Sequence, residues 1–298
     1  MSSLLWFLLS FPAVMSPPAV AVQVHFRVES CPLGSGNVKI YERISQNAHG
    51  GWDSDLASYA SGGQWRTFRV ATCMEGLFSL YNEDFSRTFT AAERVRLEVA
   101  LKNRVAALAV PDAPEIWERY GIAAAMYTEL GKDAAFLGEL WLEASWTARD
   151  AAVGYYPGLE GPAGARTLLD AGGAELAKPL AVEDRKKVLF NLVRIAERAG
   201  LPTQRDLHLA AFESSGPMTD QEKTVVSRFK KLTREVIPEL QDHVIREYTA
   251  ALMTQGTRPE QRARMSYVLA DTLRRRGRVA EASGLFAAVA KDPAAPAS

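Results

Sequence analysis

The apolar residues of this chain change their spacing once, near residue 87, and that change restricts the fold more than any other feature. Before it, Val22, Val24, Phe26 and Val28 alternate with Gln23, His25 and Arg27, the period-two pattern of a strand with one buried face. Val38, Ile40 and Ile44 mark a second strand. Residues 65–72, with Phe68 and Val70 on one side, mark a third. Asn47-Ala48-His49-Gly50-Gly51 and Ser61-Gly62-Gly63 read as loops between them. After the change the spacing is helical. The expected architecture is mainly α: a small N-terminal β module over 22–86, then stacked antiparallel helical pairs over 87–292, with 293–298 as a disordered tail.

The helical part begins with 91–108, which stops before Pro111. Pro114 opens the next helix, the position where proline's missing N–H costs nothing, and Trp117, Gly121, Ala124 and Tyr127 follow at helical spacing. A third helix over 133–152 places Phe136, Leu137, Leu140, Trp141, Ala144 and Ala148 around most of its circumference, which predicts a central position. A glycine- and proline-rich break lies near 156–181, with one short helix expected at 166–169. Residues 182–199 are amphipathic, with Val188, Leu189, Leu192, Val193 and Ile195 apolar, and Gly200-Leu201-Pro202 ends them. Thr219-Asp220-Gln221-Glu222 has the form of a helix start. The helix that follows runs to about 253, and Pro238 should kink or divide it. In the last pair, Ser266, Leu269, Ala270, Leu273, Gly277, Ala282 and Phe286 follow the spacing of a tetratricopeptide repeat.

Residues 1–26 contain no Lys, Arg, Asp or Glu, and 4–15 are apolar over the length of a signal sequence core. Pro17 and Pro18 interrupt the run, and Ala19-Val20-Ala21 offers the small side chains that a signal peptidase accepts. The expectation is a signal peptide at 1–21, removed on export to a bacterial periplasm or beyond, with no membrane span left afterwards. An uncleaved anchor and a packed N-terminal helix are the alternatives. Lys+Arg and Asp+Glu balance at 35 each, so no overall field recommends a nucleic-acid partner.

The two cysteines stand in matching strings, Cys31-Pro32-Leu33-Gly34 and Cys73-Met74-Glu75-Gly76, each after an expected strand. A zinc ribbon uses two Cys-x-x-Cys turns to aim four thiolates at one ion; here each turn keeps its first cysteine and has glycine at the second. Thiolates on one zinc lie about 4 Å apart, and a disulfide needs about 2.05 Å. In an oxidising compartment the two sulfurs are expected to bond to each other. Two unrelated buried thiols, or a residual metal site from Cys31, Cys73, His49 and Asp53 or Asp55, are the alternatives.

This order of features resembles an uncharacterised bacterial family, domain of unknown function 2225. Its members carry two Cys-Pro-x-Cys-Gly knuckles, an acidic segment between them, and tetratricopeptide-like helical pairs behind. Cys31-Pro32-Leu33-Gly34-Ser35, Asp53-Ser54-Asp55-Leu56, Cys73-Met74-Glu75-Gly76-Leu77-Phe78-Ser79 and Phe85 are similar to those features. Ala144-Ser145-Trp146-Thr147-Ala148-Arg149 is similar to the family's Ala-Ala-Trp-x-x-Arg helix, and 267–277 to its last repeat. The likeness spans about 27–292, thinning over 157–260. It implies architecture and no activity. The missing second cysteines depart from the family's zinc site.

Motifs of known chemistry are absent: no Gly-x-Ser-x-Gly, no phosphate-binding glycine loop, no His-Glu-x-x-His. Of the four histidines, His25 and His243 are expected in solvent, and His208 near Ser214 and Ser215 makes no triad by proximity alone. Asp53-Ser54-Asp55 has the form of a metal-nucleotide string, although turn formation is its commoner use. Arg258, Arg262, Arg264, Arg274, Arg275, Arg276 and Arg278 form the one basic concentration, and Arg274, Arg275 and Arg278 are the candidates for binding an acidic partner. The functional expectation is a non-enzymatic interaction or scaffold module of the cell envelope that binds a protein or peptide and needs no cofactor. The alternative is a zinc-binding protein or metal-dependent enzyme using Cys31, Cys73, His49 and Asp53 or Asp55.

Overall fold

The structure, a computed structural model, describes residues 22–292 except 48, 61–62, 155–158, 160 and 255–257. The expected signal sequence at 1–21 and the tail at 293–298 lie outside the described residues. The chain is mainly helical, with a small antiparallel sheet at its start and stacked helices after it. Its described residues divide into two units, each drawn from separate stretches: 22–46, 63–148 and 236–292 form one, and 47–62 with 149–235 form the other.

In the first of these units, β1 (Val22–Ser30) and β2 (Asn37–Gln46) pair antiparallel, Phe26 opposite Tyr41 and Val28 opposite Lys39. The hairpin buries β2 rather than β1. Val38 and Ile40 are fully enclosed, whereas Phe26 is 49% and Val28 55% exposed. The alternating face expected to be buried therefore sinks only Val22 fully and leaves its centre in solvent, because the core lies under the opposite face of β2. The expected third strand is a single helical turn, α1 (Arg66–Arg69), followed by β3 (Val70–Thr72), which pairs with β4 (Ser79–Tyr81). Val38 bridges to Cys73, and the Cys31–Cys73 disulfide joins the two small sheets, with Cα atoms 5.8 Å apart.

After β4 comes α2 (Ala91–Ala106), started by a reciprocal Thr90–Glu93 capping box, and α3 (Ile116–Glu129) packs against both α2 and β4. Next comes α4 (Ala134–Val153), enclosed on all sides from Leu140 to Arg149 as its all-round apolar pattern predicts. After the second unit's helices the chain returns with α9 (Ile237–Met253), α10 (Pro259–Arg275) and α11 (Val279–Val289). Ala270 and Ala282 are buried where α10 and α11 approach, and Tyr267 meets Phe286 edge-on, as repeat spacing requires. Gly277, at φ +76°, reverses the chain between them. The Arg278 amide bonds back to the Leu273 carbonyl at 2.9 Å.

The second unit is built from α5 (Gly161–Leu176), α6 (Val182–Arg198), α7 (Pro202–Ser214) and α8 (Asp220–Lys231). Its core joins Val153, Leu189, Val193, Leu209, Phe212, Val226 and Phe229. Two features depart from expectation here. α5 has 16 residues where one short helix was expected, and α7 lies where no element was expected, although Gly200-Leu201-Pro202 does end α6 as expected. The expected start at Thr219 is present as a capping box with Glu222. Pro238 divides the long helix as expected: a π turn, Leu232–Val236, separates α8 from α9. Proline lacks the N–H for the ladder and its ring clashes with the carbonyl four residues back, so the turn widens.

Candidate functional site

Two buried ionic clusters, one in each unit, hold the groups best suited to chemistry. In the unit of 47–62 and 149–235, the Asp53-Ser54-Asp55 string forms the tip of a tight hairpin loop. Trp52 bridges to Ser58, and the Asp53 amide bonds to Ala57 at 2.9 Å. Gly50 is required because a side chain there would lie 2.7 Å from the Tyr59 carbonyl oxygen. The turn is as expected of such a string, yet both carboxylates point inward and are buried.

Arg149, near the end of α4, donates twice to Asp55, at 2.7 and 2.9 Å, the bidentate geometry that a planar guanidinium favours. It also reaches Asp53 at 3.2 Å. Arg198, the last residue of α6, donates to Asp53 at 2.9 Å and lies over the Tyr59 ring at 3.7 Å. The Tyr59 hydroxyl donates to Asp53 at 2.8 Å. Two carboxylates face two guanidiniums, so the formal charges cancel where water is excluded. Burial works against the charge on Arg149, but Asp55, Tyr59 and Asp53 outweigh it and hold its pKa above the ordinary value. Burial and the Asp53 charge push the Tyr59 phenol well above its usual range.

In the other unit Glu143 of α4 pairs with Arg69 of α1, and the hydroxyls of Tyr81 and Tyr120 lie 3.3 and 3.2 Å from its second oxygen. Burial raises the Glu143 pKa; Arg69 opposes the shift and Glu139, one turn earlier, adds to it. Glu139 itself is held low, since Arg264 in bidentate contact at 2.7 and 2.9 Å outweighs its burial, with help from Tyr248. Tyr127 accepts from the Tyr81 amide at 3.0 Å and donates to Asp84 at 2.5 Å. A carboxyl raised by burial beside two phenols has the makings of an acid, yet each member is already bonded to the others.

The residues singled out from sequence are distributed as follows. Cys31 and Cys73 are bonded to each other, so neither offers a thiolate. Asp53 and Asp55 are held by arginines, and the His49 amide bonds the Asn47 side chain at 3.2 Å. Among the described residues no three His, Cys, Asp or Glu side chains converge as a metal site. Arg274 and Arg275 both bond Asp271, and Arg278 bonds Glu281; the Arg275 side chain is 4% exposed. His25 is exposed as expected. His243 is not a solvated residue: its ring stacks on Trp141 at 4.0 Å, 8° from parallel, and its Nδ1 is buried without a hydrogen-bond partner. Burial and the Arg246 charge lower its pKa, and Arg104 acts in the same direction.

Arg149 and Arg198 were not anticipated. One signal pointed to Arg149: a guanidinium on a helix apolar all round must meet a buried anion. No protein-family model matches the sequence, no curated protein is significantly similar to it, and no solved structure matches it.

Proposed function

We propose that the chain is an exported bacterial protein whose helical pairs form an interaction scaffold of the cell envelope, binding a protein or peptide without carrying out a reaction. The observation that carries this reading is the internal neutralisation of its buried acids and bases. Asp53 and Asp55 are engaged by Arg149, Arg198 and Tyr59, and Glu143 by Arg69 and two phenols. Groups engaged in this way hold a fold together and leave the surface as the working part.

Export is supported by the Cys31–Cys73 bond, of a kind that persists in oxidising compartments. Among the described residues no helix is long and apolar enough to cross a membrane. The resemblance to the domain of unknown function 2225 family fits the same architecture and brings no activity with it. The test is expression in a bacterium with a C-terminal tag, followed by fractionation, N-terminal sequencing and in-cell photo-crosslinking. The expected result is a chain starting at Val22 outside the cytoplasm, and a crosslinked protein that binds again when both are purified. Cytoplasmic retention with an intact Met1 would overturn export. Failure of every crosslinked candidate to rebind would overturn the scaffold.

A further inference from the structure

Among the described residues one edge of the N-terminal hairpin is open, and its backbone geometry says what fits there. Residues opposite each other in an antiparallel pair alternate between exchanging hydrogen bonds and turning their amides and carbonyls outward. The Tyr41 amide donates to the Asn82 side chain at 2.8 Å, and the Asn37 carbonyl accepts from the Met74 amide at 2.9 Å. Both groups face away from β1. Their partners, Phe26 and Ser30, are thus of the outward type, and so by alternation is Val28. The amides and carbonyls of Phe26, Val28 and Ser30 line the free edge of β1. Among the described residues no backbone hydrogen bond or bridge joins that edge to anything. The outer edge of β2 is covered by Asn82, Met74 and Cys73.

An open edge of nine residues is normally blunted by proline, an inward charge or shortness. β1 has no proline, its one irregularity sits at Gln23/Val24, and its core-side charges, Arg27 opposite Ile40 and Glu29 opposite Val38, pair with each other, while the exposed Phe26 and Val28 lie beside the outward-turned groups. We propose that β1 pairs antiparallel with β1 of a second copy, making a four-stranded sheet across a two-fold axis. This goes beyond the envelope reading and holds whatever the scaffold binds.

Charge selects the register. Centring the axis on Phe26 would oppose His25 to Arg27 twice, and centring it on Arg27 would oppose two guanidiniums. Centring it on Val28 sets Arg27 against the partner copy's acidic position at Glu29 in both directions. It also places Val28 on its own symmetry mate and Phe26 opposite Ser30. All three of those residues turn their backbone groups to the edge, so each pair exchanges hydrogen bonds. An isologous contact of this kind closes on itself and stops at two copies.

The test uses the purified full chain in analytical ultracentrifugation. The expected result is a concentration-dependent dimer for the native chain. Val28→Lys, which sets two ammonium groups face to face beside Lys39, should dissociate at least about tenfold more readily. Circular dichroism checks that this variant, changed at an exposed position, keeps its helices. Both native cysteines are in the Cys31–Cys73 bond. Val28→Cys should therefore give a covalent dimer on mild oxidation, far faster than Val95→Cys at an exposed position on α2. A native chain that stays monomeric at the highest attainable concentration overturns the proposal. So does a dimer that Val28→Lys leaves unchanged, or a Val28→Cys chain that crosslinks no faster than Val95→Cys.

Discussion

At the scale of single residues, the buried charges set the strongest expectations. Asp55 and Arg149 meet in bidentate contact with water excluded. Removing one charge from such a pair leaves the other buried and unmatched, which destabilises by about 3–5 kcal/mol. Asp55→Asn is therefore expected to lower the free energy of urea unfolding by an amount in that range. Replacing both partners with apolar residues of similar volume should lose much less. His243 gives a pH dependence. Its pKa lies below the ordinary histidine value in the folded chain, so the unfolded chain takes up the proton first. Stability from this group is present above about pH 6.5 and is lost as the pH falls from there through the lower folded-state pKa. His243→Phe keeps a ring on Trp141 and removes the titration. Its unfolding free energy should fall less steeply than the native chain's between about pH 7.5 and 5.5. His208, also lowered by burial, contributes a remaining slope of the same sign. Glu143 acts oppositely: its raised pKa favours the folded state in acid, and that contribution fades as the pH rises through it.

At the scale of elements, the glycines of α5 separate two kinds of constraint. A side chain at Gly172 would lie 2.4 Å from Leu192 on α6, whereas one at Gly173 meets nothing within 4 Å. Gly172→Ala should lower the unfolding free energy by about 1–3 kcal/mol through overpacking. Gly173→Ala should raise it by about 0.5–1 kcal/mol through the unfolded chain's lost freedom. Chemical denaturation of the two variants side by side checks the contrast. The same glycines explain where sequence reading stopped. They look like loop residues, and they permit helices to approach closely, a purpose invisible without the partner helix. Elements with capping signals and sustained periodicity were legible: α2, α4 and α6 lie within a residue or two of their expected ends, and the α10–α11 pair carries its repeat residues on the two helices expected. β1 was legible as a strand while its buried face was not, because alternation does not say which strand of a hairpin lies over the core. Asp53-Ser54-Asp55 was legible as a turn. Its partners lie 94 and 145 residues away, beyond any local pattern.

At the scale of the whole molecule, the disulfide and the order of the segments matter most. Cys31 and Cys73 are 42 residues apart. Closing a loop of that size restricts the unfolded chain by about 4 kcal/mol on the chain-entropy account. Replacing both cysteines with serine should lower the unfolding free energy by about 2–5 kcal/mol, measured by denaturation beside the native chain. The loop closed by that bond contains 47–62, which belong to the other unit.

That interleaving constrains the order in which the molecule can be assembled. Asp53 and Asp55 leave the ribosome long before Arg149 and Arg198, and neither carboxylate has its buried counterions until between 94 and 145 more residues have followed. The half that contains them cannot mature as it emerges; it has to wait, unfinished, for most of the chain. A polypeptide obliged to stay unfolded that long is well matched to secretion as an extended thread. A ribosome stalled before residue 198 should display this half as a substrate for any protease within reach.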